Sequence, residues 1–167
     1  DRAQKAAHLQ GNLSAFILDY VARTKVQSTH LNWYIVEQLP FLPPESYEQK
    51  FGAKTAADIV RDHVLRLSYT ATDLTPFARD LGYDGPPFIW NEGERRHLRA
   101  RLDALYFLLY GINRDDAEYI LSTFPIVRRE DEAEFGTYLT RDMILAYMRA
   151  LEAGDSETTL HFDKLKQ

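Results

Sequence analysis

The stretch NLSAFILDYVARTKVQSTHLNWYIVEQLPFLPP, residues 12–44, changes its hydrophobic period partway along, and that change sets the expected fold. Leu13, Phe16, Ile17, Tyr20 and Val21 recur at i, i+3, i+4, i+7 and i+8, the spacing of one apolar helix stripe. Asn12 stands where a side-chain oxygen would accept from a free N–H of the first turn, and is the expected N-cap. Arg23 and Lys25 fall in the last turn, where positive charge suits the helix dipole. Past a polar hinge at Gln27-Ser28-Thr29, Leu31, Trp33 and Ile35 alternate with His30, Asn32 and Tyr34, which predicts a short strand. Pro40, Pro43 and Pro44 then hold the backbone extended.

Downstream the period is helical. Ala56, Ile59, Val60, His63, Val64, Leu67 and Ala71 trace one face behind Thr55, a cap. A short helix is expected over 75–81, with Pro76 in its first turn and Gly82 closing it. Residues 83–90 read as a Gly/Pro-rich loop. A long helix over 92–110 carries Leu98, Leu102, Leu105 and Leu109 and stops at Gly111. Asn113 caps the next helix, with Asp115 and Asp116 in its first turn. Residues 128–134 read as a charged loop, 140–153 as a last helix ending at Gly154, and 155–167 as a flexible tail. The expected fold is mainly α, a bundle-like helical domain (45–154) behind a helix–hinge–strand unit (1–44) with a small β element near the N-terminus.

Composition narrows the function classes. With no cysteine among 167 residues there is neither a disulfide framework nor a thiolate zinc site, which fits a cytoplasmic protein. No apolar run reaches membrane-span length, so no membrane partner is expected. The net charge of −5 opposes blanket attraction to nucleic acid, although the acidity concentrates between Asp115 and Glu134. The first residue is Asp1, as expected of a piece of a longer chain.

Tests for catalytic machinery fail one after another. Asp84-Gly85-Pro86-Pro87-Phe88 approaches the loop with which amino-methylating enzymes hold a target base, but Gly85 offers no side-chain acceptor. No Gly-rich cofactor loop follows a strand. Glu48-Gln49-Lys50 lacks a partner Asp on a nearby strand, as a metal-dependent nuclease site requires. His8, His30, His63, His97 and His161 show no metal-ligand spacing. His63 is expected to be a hydrogen-bonded core residue, and His97, among arginines, to face solvent. No catalytic, cofactor-binding or metal residue is assigned.

Basic surfaces are better candidates. Arg95 and Arg99, at i and i+4 beside Arg96, could present guanidinium forks to phosphates, or could belong to a solvated face with pairs Glu92–Arg96 and Arg99–Asp103. Arg23, Lys25, Ser28, Thr29 and His30 surround the hinge with few acidic neighbours and rank first for DNA contact. The run 105–110, LYFLLY, is either buried between helices or a docking face.

Three segments carry a family resemblance: residues 12–44, LTPFARDLGYDGPPFIW (74–90), and LDALYFLLYGINRDDAEYILSTFPIVRRED (102–131). Together they resemble the C-terminal region of bacterial type IIG-like restriction–modification and phage-defence DNA adenine methyltransferases. There a helix, a small Gly/Ser/Thr turn and a strand end the target-recognition domain before "LP-x-LPP". Gln27 departs from the glycine common at that turn. The resemblance implies a non-catalytic fragment that contributes to DNA target recognition and domain positioning. It also implies a parent that methylates adenine with S-adenosylmethionine, with or without restriction activity. The expected partners are DNA, through the parent, and the methyltransferase core of the same chain. The alternative is a structural helical module that contacts only that core or a partner subunit.

Overall fold

The computed structural model describes residues 2–26 and 30–163. The protein is mainly α, as expected. Helices α1 (Arg2–Leu13), α2 (Phe16–Lys25) and α3 (Trp33–Val36) precede a 3₁₀ turn at Pro44–Glu48 and a two-stranded antiparallel hairpin, β1 (Lys50–Phe51) and β2 (Lys54–Thr55). Six helices follow: α4 (Ala56–Ser68), α5 (Thr75–Asp80), α6 (Glu92–Leu109), α7 (Arg114–Ser122), α8 (Pro125–Phe135) and α9 (Leu139–Glu152). No helix among the described residues is long and apolar enough to cross a membrane.

The core forms around α6, which packs on α9, α4 and α2. Leu105, Tyr106 and Phe107 are fully buried, so the run 105–110 is interior rather than a docking face at these positions. From α9 come Met143, Ile144, Tyr147, Met148 and Leu151, and from α4 Ile59, Val60 and Val64. Local chemistry sets the helix starts. Thr55 and Asp58 form a reciprocal capping box, Asn91 accepts from the Glu94 N–H, and Asn113 accepts from the Asp116 N–H.

Four expectations are corrected. Asn12 is no N-cap; it lies inside α1 and is buried. The missed signal is Ala3, Ala7 and Gly11 at i, i+4 and i+8, small residues that let α1 lie close on its neighbours; a methyl on Gly11 would sit 2.5 Å from the Tyr106 hydroxyl. The stretch expected as a strand at 31–35 forms α3 instead, and the β element lies at 50–55. A lone strand there would have left its backbone groups unpaired, whereas one helical turn pairs them locally. Ile35 and Leu39 are buried at i and i+4, while Trp33 and Tyr34 stay exposed. Residues 128–134 belong to α8, opened by Pro125 in its first turn and closed by Gly136 at φ 73°. The segment after Gly154 is bonded to the body as far as residue 160, with 164–167 outside the described residues: Arg101 donates to the Thr158 carbonyl at 2.7 Å, and Tyr147 accepts from the Leu160 N–H at 3.2 Å.

The hairpin turn abuts the end of α9. Gly52 has φ 68°, and a Cβ built on it would lie 1.9 Å from the Gly154 carbonyl oxygen. Gly52→Ala is therefore expected to destabilise the protein by about 3 kcal/mol or more, combining a left-handed penalty with a backbone collision. Gly136→Ala, with open space around the new methyl, is expected to cost only about 1 kcal/mol. Urea-unfolding midpoints of the two variants check the ordering.

Candidate nucleic-acid interface

Of the residues expected to contact DNA, Ser28 and Thr29 lie outside the described residues. Lys25 ends α2 and is exposed, as is His30. Arg23 is engaged with its own chain: its guanidinium pairs with Asp19 at 2.8 Å and lies 4.4 Å from the centre of the Phe124 ring. Arg95 donates to the Leu67 carbonyl at 2.9 Å and covers the Trp90 ring at 3.6 Å. Arg99 pairs with Glu92, not with Asp103, and Arg96 reaches Glu134 at 2.9 Å rather than Glu92. The two groups of arginines thus anchor on different elements, and none of the contacts described links one group to the other.

What the fold builds around the hinge is its support. From residue 30 the chain runs through α3 to Pro40, with Ile35 and Leu39 buried on the way. There a relay of hydrogen bonds receives the chain. The Asn12 side-chain amide donates to the Tyr110 hydroxyl at 2.8 Å, and that hydroxyl donates to the Pro40 carbonyl at 2.8 Å. The Asn12 side-chain oxygen accepts from the Leu42 N–H at 3.1 Å. Two backbone groups flanking Phe41 are therefore satisfied by two side chains from α1 and the end of α6. Asn12 itself is buried, which makes its own two bonds harder for water to replace, while the Tyr110–Pro40 bond lies nearer the surface.

The helix that leads into the segment, α2, is held at its start. No side chain of its own caps this helix; Asp103 of α6 accepts from the Phe16 N–H at 2.8 Å. A carboxylate at a helix N-terminus also complements the dipole. Asp103 is buried, and desolvation pushes its carboxyl up to about 7, against the opposing pull of the Phe16 N–H and the Arg99 charge. Asp131 plays the same part for α9, accepting from the Thr140 N–H. Both carboxylates line a cavity of about 380 Å³ beside Arg96 and Arg99.

Between these anchors the segment exposes an apolar, aromatic surface: Leu31, Trp33 and Tyr34 are 52, 73 and 61 % accessible. Residues 30–39 thus carry exposed apolar and aromatic side chains and the single turn of α3 up to the Asn12–Tyr110 relay, and Lys25, at the end of α2, is the nearest exposed lysine or arginine. Sequence reasoning missed Asn12, Tyr110 and Asp103 as supports because their partners are distant backbone groups. The DGPPF stretch is a structural turn: the Phe88 N–H donates to the Tyr69 carbonyl at 2.8 Å and its ring stacks on Tyr83. No family model, curated protein or solved structure matches the chain.

Removing the relay is expected to loosen the segment. Asn12→Ala should cost about 2–3 kcal/mol, because it strands the Leu42 N–H as well as deleting a bond, and Tyr110→Phe about 1 kcal/mol. Equilibrium unfolding in urea measures both. For Asp103 the sign runs the other way from an ordinary ion-paired carboxylate. With a folded value near 7 and an ordinary value of 3.8, the folded state holds the proton more tightly. Stability should therefore fall as pH rises from about 4 to 7. Asp103→Asn keeps an acceptor for Phe16 and removes this contribution, so the gap between variant and native stability should change across that window. Parallel stability–pH curves would refute the assignment.

Proposed function

We propose that the chain is a non-catalytic helical module of a DNA adenine methyltransferase or restriction–modification protein, and that it holds a recognition segment, residues 30–39, toward DNA. The observation that carries this reading is the Asn12–Tyr110–Pro40 relay, which fixes the chain where that segment ends, while the Asp103–Phe16 bond holds the start of α2, the helix that leads into it. A loop that reads a partner gains from such anchoring, because less freedom is lost when it binds. Lys25 and His30 supply donors for phosphate oxygens, and Trp33 and Tyr34 supply flat faces for sugar or base edges. S-adenosylmethionine binding and methyl transfer belong, in this reading, to the methyltransferase core of the parent.

A second reading keeps the same loop and changes its partner. Arg23, Arg95 and Arg99 already have intramolecular partners, and Leu31, Trp33 and Tyr34 together suit a protein surface. On this view the module docks on the methyltransferase core or a partner subunit and touches no DNA.

A salt series separates the two. Under the DNA reading, the chain binds a short duplex at low salt and log affinity falls linearly with log salt. Lys25→Ala should weaken binding and reduce that slope by about 1, whereas Arg23→Ala, whose guanidinium already serves Asp19, should change it less. Absence of binding at low salt, or affinity indifferent to salt, contradicts the DNA reading and favours the protein-only module.

A further inference from the structure

A second cavity, of about 570 Å³, lies between α4, α6 and the segment that follows α9, on residues to which the recognition loop contributes nothing. Its walls include Arg101, His63, His97 and Ser156, and its rim Lys54, Arg66, Asp62, Glu94 and Glu157. Arg101 is the one buried cation among the described residues, at 7 % exposure. Buried guanidinium groups ordinarily face a carboxylate, because an uncompensated charge is costly to desolvate. Arg101 has none within ion-pair distance among the described residues. Its partners are neutral: the Thr158 carbonyl at 2.7 Å, the Glu157 carbonyl at 3.4 Å, the His63 Nε2 at 3.3 Å, and the Tyr147 ring 4.8 Å from its central carbon. Asp155, the nearby acid of that segment, accepts instead from the N–H groups of Glu157 and Thr158.

The carboxylates that line the cavity sit at its solvent-exposed rim. Asp62, Glu94 and Glu157 have side chains 49, 46 and 67 % exposed, and each already has a basic neighbour, in His63, Arg66 and Lys54 respectively. Formal charges around the cavity balance, but the negative ones are solvated and screened while a positive one is buried. Arg101 is thus buried with no carboxylate in contact, and Asp155 alone among the acids of that segment feels its charge from further off.

We propose that this cavity binds a phosphate group, with Arg101 as its buried anchor and Arg66 and Lys54 turning onto the anion from the rim. A guanidinium plane matches two phosphate oxygens at once, and the exposed pairs Arg66–Glu94 and Lys54–Glu157 are weak enough to exchange for a dianion. The volume leaves room for a sugar or nucleoside attached to the phosphate. The two histidines report on occupancy. Arginine has no acceptor, so His63 must present a bare Nε2 to Arg101 and carry its proton on Nδ1. His97 bonds through Nδ1 to the Tyr147 hydroxyl at 2.7 Å. Burial and the Arg101 charge disfavour the imidazolium form of both rings, and an anion beside Arg101 reverses that field.

The test is a titration of the chain with inorganic phosphate, followed through the histidine ring resonances, with chloride at matched ionic strength as control. The expected result is a saturable shift of His63 and His97, with their proton affinity raised, while His8, stacked on Tyr47 of another cavity, stays unchanged. Arg66→Gln, an exposed rim change, should weaken phosphate binding about threefold, and Arg101→Lys, which keeps the charge but loses the fork, about tenfold. Competition by a short DNA duplex would identify the bound group as a backbone phosphate; competition by a nucleoside monophosphate alone would identify a free phosphate ester. Shifts that never saturate, or that chloride reproduces, would overturn the proposal. So would a saturable shift left unchanged by Arg66→Gln, the variant least able to disturb folding.

Discussion

One helix reaches out with polar side chains to the backbone of the segments packed around it. Along α6, Arg95 donates to the Leu67 carbonyl, Arg101 to the Thr158 carbonyl, and Asp103 accepts from the Phe16 N–H. Tyr106 donates to the His8 carbonyl, and Tyr110, just past the helix end, to the Pro40 carbonyl. All of these groups but the His8 carbonyl, which lies within α1, sit where a helix begins, ends or yields to irregular chain. Apolar burial of Leu105 and Phe107 gives α6 its place, but these polar reaches decide where the connecting segments settle. A buried backbone group without a partner costs about as much as a lost hydrogen bond, so the constraint binds the connections to the core.

That constraint marks the line between what the sequence discloses and what it conceals. The caps at Thr55 and Asn113, the stripe of α6 and the apolar face of α9 are local patterns, and they are legible residue by residue. Asn12 shows the opposite case. It has the chemistry of an N-cap and stands before an apolar stripe, yet it lies in the last turns of α1 and serves Leu42, thirty positions on. The cap of α2 comes from Asp103, which no local pattern could reveal. α8 was equally hidden. Its inward position at 131 is an aspartate that caps α9, so the apolar period by which helices are read is missing there.

The candidate site shows the same division. That the hinge after α2 would carry exposed basic side chains was readable at Lys25 and His30. The arginines were less so, because a guanidinium free on paper can spend itself on its own chain. Arg23 does so on Asp19 and Phe124, Arg95 on Leu67 and Trp90, and Arg99 on Glu92. What makes the segment a candidate for recognition is less its charge than the relay at Pro40 and the capped helix that leads into it, and both depend on α6 and its end.

The account therefore turns on whether the chain re-enters the body through the Asn12–Tyr110 relay. Amide hydrogen exchange at Leu42 tests this most directly, since its N–H belongs to no helix or strand and its partner is the Asn12 side chain. The account predicts slow exchange at Leu42, comparable with the neighbouring helices. It also predicts that Asn12→Ala selectively removes this protection while the amides of α6 keep theirs. Exchange at Leu42 as fast as in an open loop, or unaffected by Asn12→Ala, would contradict it.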